Sequence, residues 1–181
     1  MIVTEMIPIR KGKVKVSFDE KEPLVLYKGE IQKFGLKEQT AVSEEIYQEL
    51  FYDIVGKRAI KRAMHLLEKT DRTEQQLRKK LLEGGYPEEL AEQAITYVKS
   101  YHYIDDERYA RTFVRLNQDR RSAGRMKMDL LAKGIPADII ETALAQENET
   151  QPEALIQKWM EKKNFDPGTA TRQETAKMYQ F

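Results

Sequence analysis

At 181 residues the chain is long enough for one sizeable domain or two small ones. Its 31 basic and 30 acidic residues nearly cancel, so overall charge says nothing of a nucleic-acid partner and only its distribution can. No cysteine is present, which excludes disulfides and thiolate metal sites and fits a reducing compartment. The first residues, Met1 to Glu5, carry an acid and lead into Pro8 and Arg10-Lys11, without the basic start and apolar centre of a secretory signal. No apolar run approaches the ~20 residues of a membrane span. A soluble, cytoplasmic protein with no membrane partner is expected.

The chain then changes character near position 40. Val14 to Phe18 alternates with period two, Leu24 to Tyr27 is a short β-rich run, and Asp19 to Pro23 between them reads as a turn. With Ile2 to Ile9 as a third strand, the pattern predicts a small antiparallel sheet. Few strands are marginal alone, so the sheet should lean on the helices that follow while lying outside the repeats described next. A short helical turn is expected over 29–34, ended by Gly35. From Ser43, an N-cap with Glu44 and Glu45 in the first turn, the period becomes helical through Ile46, Leu50 and Ile54. Gly56 should break or bend this helix before the pattern resumes at Ile60, Met64 and Leu67.

An internal repeat follows. Shifted by 49 positions, residues 60–95 align with 109–144 without a gap. Ile60, Met64 and Leu67 fall on Tyr109, Phe113 and Leu116; Arg62 on Arg111; Thr73 on Ser122; Leu81-Leu82 on Leu130-Leu131; Gly85 on Gly134; Pro87 on Pro136; Ala94 on Ala143. Thr73 and Ser122 cap the second helix of each unit, and Gln76 completes a capping box in the first. Gly85 and Gly134 supply the left-handed residue that ends it, and Pro87 and Pro136 open the third helix. The four leucines are expected in the core. The period predicts a third unit, with Leu155, Ile156 and Trp159 in its first helix, a loop over 164–171 and a second helix from Gln173. The chain stops at Phe181 in mid-pattern, so either a truncated form or an incomplete last unit is expected. The layout expected is a β-rich extension over 1–42, a first repeat with its lead-in helix over 43–104, a second over 105–146 and an incomplete third over 147–181.

Catalytic patterns are missing. His65 and His102 sit in no metal-ligand pair, Gly84-Gly85 follows no strand and precedes no Gly-Lys-Ser/Thr, and Asp105-Asp106-Glu107 suits a helix start better than a metal. A protein without enzymatic activity, metal or cofactor is expected. Charge is more suggestive. Lys57, Arg58, Lys61 and Arg62 cluster without an acid among them. From Arg108 to Lys127, Arg108, Arg111, Arg115, Arg120, Arg121, Arg125 and Lys127 face only Asp119. Arg108, Arg111 and Arg115 have the 3,4 spacing of one helix face. These residues form a candidate footprint for DNA phosphates or an acidic partner surface; pairing between repeats and simple solvation are the competing readings. Tyr97, Tyr101, Tyr103 and Tyr109 have faces for stacking on unpaired bases, but helical spacing beside Val98 and Ile104 favours packing between repeats.

Three signatures occur in order: Arg72-Thr73-Glu74-Gln75-Gln76-Leu77 with Lys80-Leu81; Tyr103-Ile104-Asp105-Asp106-Glu107-Arg108-Tyr109-Ala110; and Gly134-Ile135 ahead of a third helix. Together they resemble the RecX family of bacterial recombination regulators, from about residue 50 to the end. The resemblance implies a mainly α fold of tandem three-helix repeats in an elongated, curved body, the β-rich start being an extension some members carry. It also implies a partner, the RecA recombinase filament on DNA, whose activity the protein modulates, usually by inhibition. Thr73 and Gln76 replace the more usual Ser and Glu, and His102 stands where Gly is common. A simple DNA-binding protein and a helical protein–protein adaptor are the alternatives.

Overall fold

The computed structural model describes residues 1–147 together with Met160, Glu161, Phe165, Gly168 and Thr171, so the expected third repeat lies outside the described residues. Three antiparallel strands, β1 (Val3–Pro8), β2 (Lys13–Phe18) and β3 (Leu24–Tyr27), form a sheet in chain order. Alternation works as the sequence implies: Val14, Val16 and Phe18 are buried while Lys13, Lys15 and Ser17 turn away. The free edge of β1 is covered by the following loop. Val3 N–H donates to the Thr40 carbonyl (3.1 Å), Gln39 N–H to the Val3 carbonyl (2.8 Å) and Met6 N–H to Glu38 Oε1 (2.8 Å).

After α1 (Lys28–Lys33) and Gly35, at φ +62°, the chain enters α2 (Glu44–Gln48), capped by the Ser43 hydroxyl, which accepts from Ile46 N–H at 3.3 Å. A π-helical stretch (Glu49–Gly56) joins α2 to α3 (Lys57–Lys69) without leaving helical dihedrals at either seam. Gly56 therefore neither breaks nor ends the helix. It is buried, and an added Cβ there would lie 3.4 Å from Leu90 and from the Phe51 carbonyl, in contact with both. The first repeat is α3, α4 (Glu74–Glu83) and α5 (Glu88–Ser100); the second is α6 (Asp106–Asn117), α7 (Ala123–Ala132) and α8 (Ala137–Glu147).

Caps and stops recur as expected. Thr73 and Ser122 accept from Gln76 and Arg125 N–H, and Thr73 N–H bonds back to Gln76 Oε1 (3.3 Å). Gly85 and Gly134 stand at φ +81° and +82°, where only glycine is unstrained. The residue after each glycine donates to the Leu81 or Leu130 carbonyl, closing the same turn in both units. Pro87 stands one place earlier than expected, as the cap before Glu88, with ψ 148°.

One expectation fails on register. Leu81 and Leu130 are fully buried, but Leu82 and Leu131 are 41% and 40% exposed, because adjacent helical positions lie ~100° apart and only one of each pair faces inward. The gapless shift itself holds: all three helices of the second repeat start 49 positions after those of the first, and α6 ends one residue sooner, so its linker to α7 has five residues (118–122) against four (70–73). The matched pairs Ile60 and Tyr109, and Met64 and Phe113, pack on their respective cores. Leu116, aligned with Leu67 by the gapless shift, is 70% exposed.

One apolar core runs from Val3 through the sheet, α2, the π-helical stretch and the first repeat to Ile104, so the sheet shares the first repeat's interior and does not lie outside it. A separate, smaller core holds the second repeat around Val114, Met126, Leu130, Ile135 and Ile140.

Candidate nucleic-acid interface

The two first helices carry the basic residues: Arg58, Lys61 and Arg62 form a stripe on α3, and Arg108, Arg111 and Arg115 one on α6, with Arg62 falling on Arg111 in the repeat. The first member of each stripe is spent internally. Arg58 donates to the Val25 carbonyl (2.9 Å), pairs with Glu30 and lies 4.7 Å from the centre of the Tyr27 ring, its side chain only 18% exposed. Arg108 donates to the carbonyls of His102 (3.1 Å) and Tyr103 (3.5 Å). Both arginines thus fasten a first helix to the segment before it.

Elsewhere the cluster divides. Lys57 pairs with Asp53 at 2.7 Å, Arg121 with Asp129, Arg125 with the same carboxylate at 3.3 Å, and Lys127 with Glu141 at 2.7 Å. Arg121 also lies 5.8 Å from the centre of the Phe113 ring. Asp129, four residues after Arg125, was the overlooked partner, and its i,i+4 spacing was the signal. Lys61, Arg62, Arg111, Arg115 and Arg120 are exposed and close no ion pair among the described residues. Arg111 lines a cleft between α6 and α8 with Glu107, Asp138 and Thr142. Unpaired basic charge therefore gathers on α3 and α6 rather than α7.

Asp105 caps α6, accepting from Arg108 N–H at 2.9 Å. Asp106 accepts from Glu74 N–H at 2.9 Å, and burial raises its pKa against that hydrogen bond. Two of the three acids of the triplet thus have structural work. His102, at φ +56°, occupies the left-handed place after α5. Tyr109 packs on the second core, but Tyr97, Tyr101 and Tyr103 are 40%, 57% and 51% exposed, while their neighbours Val98 and Ile104 are buried in the first core. No helix among the described residues is long and apolar enough to cross a membrane.

Comparison with known proteins gives this architecture a family. Residues 59–97 match the model of the RecX first three-helix domain, and residues 105–144 that of the second. The regulatory protein RecX of Caldanaerobacter subterraneus subsp. tengcongensis is 34% identical over 133 residues, covering 72% of this chain and 68% of that protein. Its counterpart from Clostridium botulinum strain Alaska E43 is 31% identical over 144 residues, covering 78% and 68%. A crystal structure of regulatory protein RecX, 25% identical, superposes with a TM-score of 0.62 over 99% of this chain and 90% of that one. This chain belongs to the RecX family of regulatory proteins.

Proposed function

We propose that the protein is a regulator that binds the RecA recombinase filament on DNA in the cytoplasm and restrains its ATPase and strand exchange, without catalysis of its own. Family membership supplies the regulatory role. The observation that carries the mechanism is the row Arg108, Arg111 and Arg115 on α6, whose last two members have no ion-pair partner among the described residues. Such an unneutralised row on an otherwise balanced chain is suited to phosphates. Lys61 and Arg62 on α3 add to it, whereas Arg58, Lys57, Arg121, Arg125 and Lys127 already have acidic partners and contribute less. The DNA-dependent ATPase of RecA, measured with and without this protein, tests the reading. Slowed hydrolysis at low salt, relieved as salt rises, is expected; a rate unmoved at any protein concentration would reject it.

A further inference from the structure

Three tyrosines of the first repeat stand in water for no reason the fold supplies. Tyr97 and Tyr101 share one face at the end of α5, and the left-handed turn at His102 brings Tyr103 back beside them. Their rings form a row, with centroids 5.0 Å apart between Tyr97 and Tyr101 and 6.1 Å between Tyr101 and Tyr103, the latter pair inclined by only 23°. A cleft of about 230 Å³ opens next to Tyr103, walled by Met64, Leu67 and Glu68. Arg108 is fastened to the carbonyl of Tyr103 itself, so the basic row of α6 begins where the aromatic row ends. Arg115 lies about 10 Å further along the helix axis.

Aromatic rows also receive proline-rich peptides, but a peptide of that kind leaves Arg111 and Arg115 without anions. A polyanion with exposed flat faces answers both rows at once. We propose that Tyr97, Tyr101 and Tyr103 form a stacking platform for unpaired bases, with the α6 arginines holding the adjoining phosphates, so that this surface selects single-stranded over duplex DNA. The inference rests on the reading that α6 meets phosphates. Bases in a duplex stack on one another and cannot offer their faces to a tyrosine, whereas phosphates are available in either form.

The test uses the full chain and fluorescein-labelled oligo-dT, beside a duplex of equal length, followed by anisotropy at low salt. Replacing Tyr97 and Tyr101 together by Leu keeps apolar bulk and removes stacking. It should weaken single-strand binding by about tenfold or more and leave duplex binding within about twofold. Replacing both by Phe should retain the wild-type preference, which separates stacking from any effect of the hydroxyls on folding. Arg111→Glu with Arg115→Glu should weaken both substrates. If the Leu variant, with an unchanged melting curve, binds single strands as the wild type does, or if the wild type shows no single-strand preference or no binding, the platform is refuted. If the arginine variant alone is without effect, it is the phosphate reading of α6 that fails.

Discussion

At the junction between sheet and first repeat, Val25 of β3 packs on Gly85, 3.0 Å from where a Cβ would lie. At the junction between repeats, Gln75 of α4 crowds the same position of Gly134. Arg58 reaches back to the Val25 carbonyl in the first case, and Arg108 to the carbonyls of His102 and Tyr103 in the second. The sheet thus packs on the glycine turn of the first repeat as the first repeat packs on that of the second. The materials differ. The first junction is part of one continuous apolar core, whereas the second is largely polar. There the Thr73 hydroxyl, in a fully buried residue, donates to the Lys133 carbonyl (2.6 Å), and Asp106 holds the N–H of Glu74, whose own side chain pairs with Lys99 within the first repeat. Apolar contact is strong and tolerant of angle, while buried hydrogen bonds are weaker but fix one orientation. The sheet supplies stability; the polar junction sets how the second basic stripe sits relative to the first.

Removing residues 1–40 should have the largest effect. Val3, Val16, Leu24 and Leu26 are fully buried, each contributing ~1.5–3 kcal/mol, a total comparable with the stability of a domain. The truncated chain should lose the cooperative melting of the first repeat by circular dichroism; an intact transition would show that the helices do not need the sheet. Leu130→Ala in the smaller core should cost ~2–5 kcal/mol, and Leu131→Ala under ~1 kcal/mol, read from denaturant midpoints. Equal losses at the two sites would contradict the register described for α7.

Smaller effects probe the polar junction. Thr73→Val removes both a cap and the bond to Lys133, and should cost ~1–3 kcal/mol, more than the cap-only change Ser122→Ala at ~1 kcal/mol. Asp106 offers a pH test. Its folded pKa is raised, first by burial, so folding is favoured by its protonation and its contribution declines as pH rises through that pKa. Asp106→Asn keeps the acceptor for Glu74 N–H and lacks the buried charge. It should melt higher than the wild type at neutral pH, with the gap closing in acid; a gap that widens in acid would contradict the assignment. Smallest of all, His102→Gly should stabilise by about 0.5–1 kcal/mol, because glycine adopts φ +56° without strain.

Much of this was legible in the residues. Thr73 with Gln76, Ser122, Gly85 and Gly134 announce helix ends through local chemistry alone, and Val14 to Phe18 announces a strand through its alternation. Leu82 and Leu131 were misplaced because adjacent leucines do not say which of them faces inward. Ile60 on Tyr109 and Met64 on Phe113 keep their register, whereas Leu116, apolar like Leu67, is exposed because α6 ends one residue sooner than α3. The basic footprint was legible as composition but not as free charge. Asp129 and Glu141 take up Arg121, Arg125 and Lys127 through folded geometry, and Glu30 reaches Arg58 across 28 positions of sequence. Exposure of the tyrosines was equally hidden, since periodicity does not tell a row that packs inside from a row at the surface.

We propose above that unneutralised charge on α6 engages the recombinase filament. Arg111→Glu with Arg115→Glu, compared with Arg121→Glu with Arg125→Glu, tests it on inhibition of the RecA DNA-dependent ATPase at low salt, each variant first shown to keep wild-type helicity. Substituting the α6 pair should abolish most inhibition, whereas substituting the pair already held by Asp129 should weaken it less. Full inhibition by the folded α6 variant would contradict it.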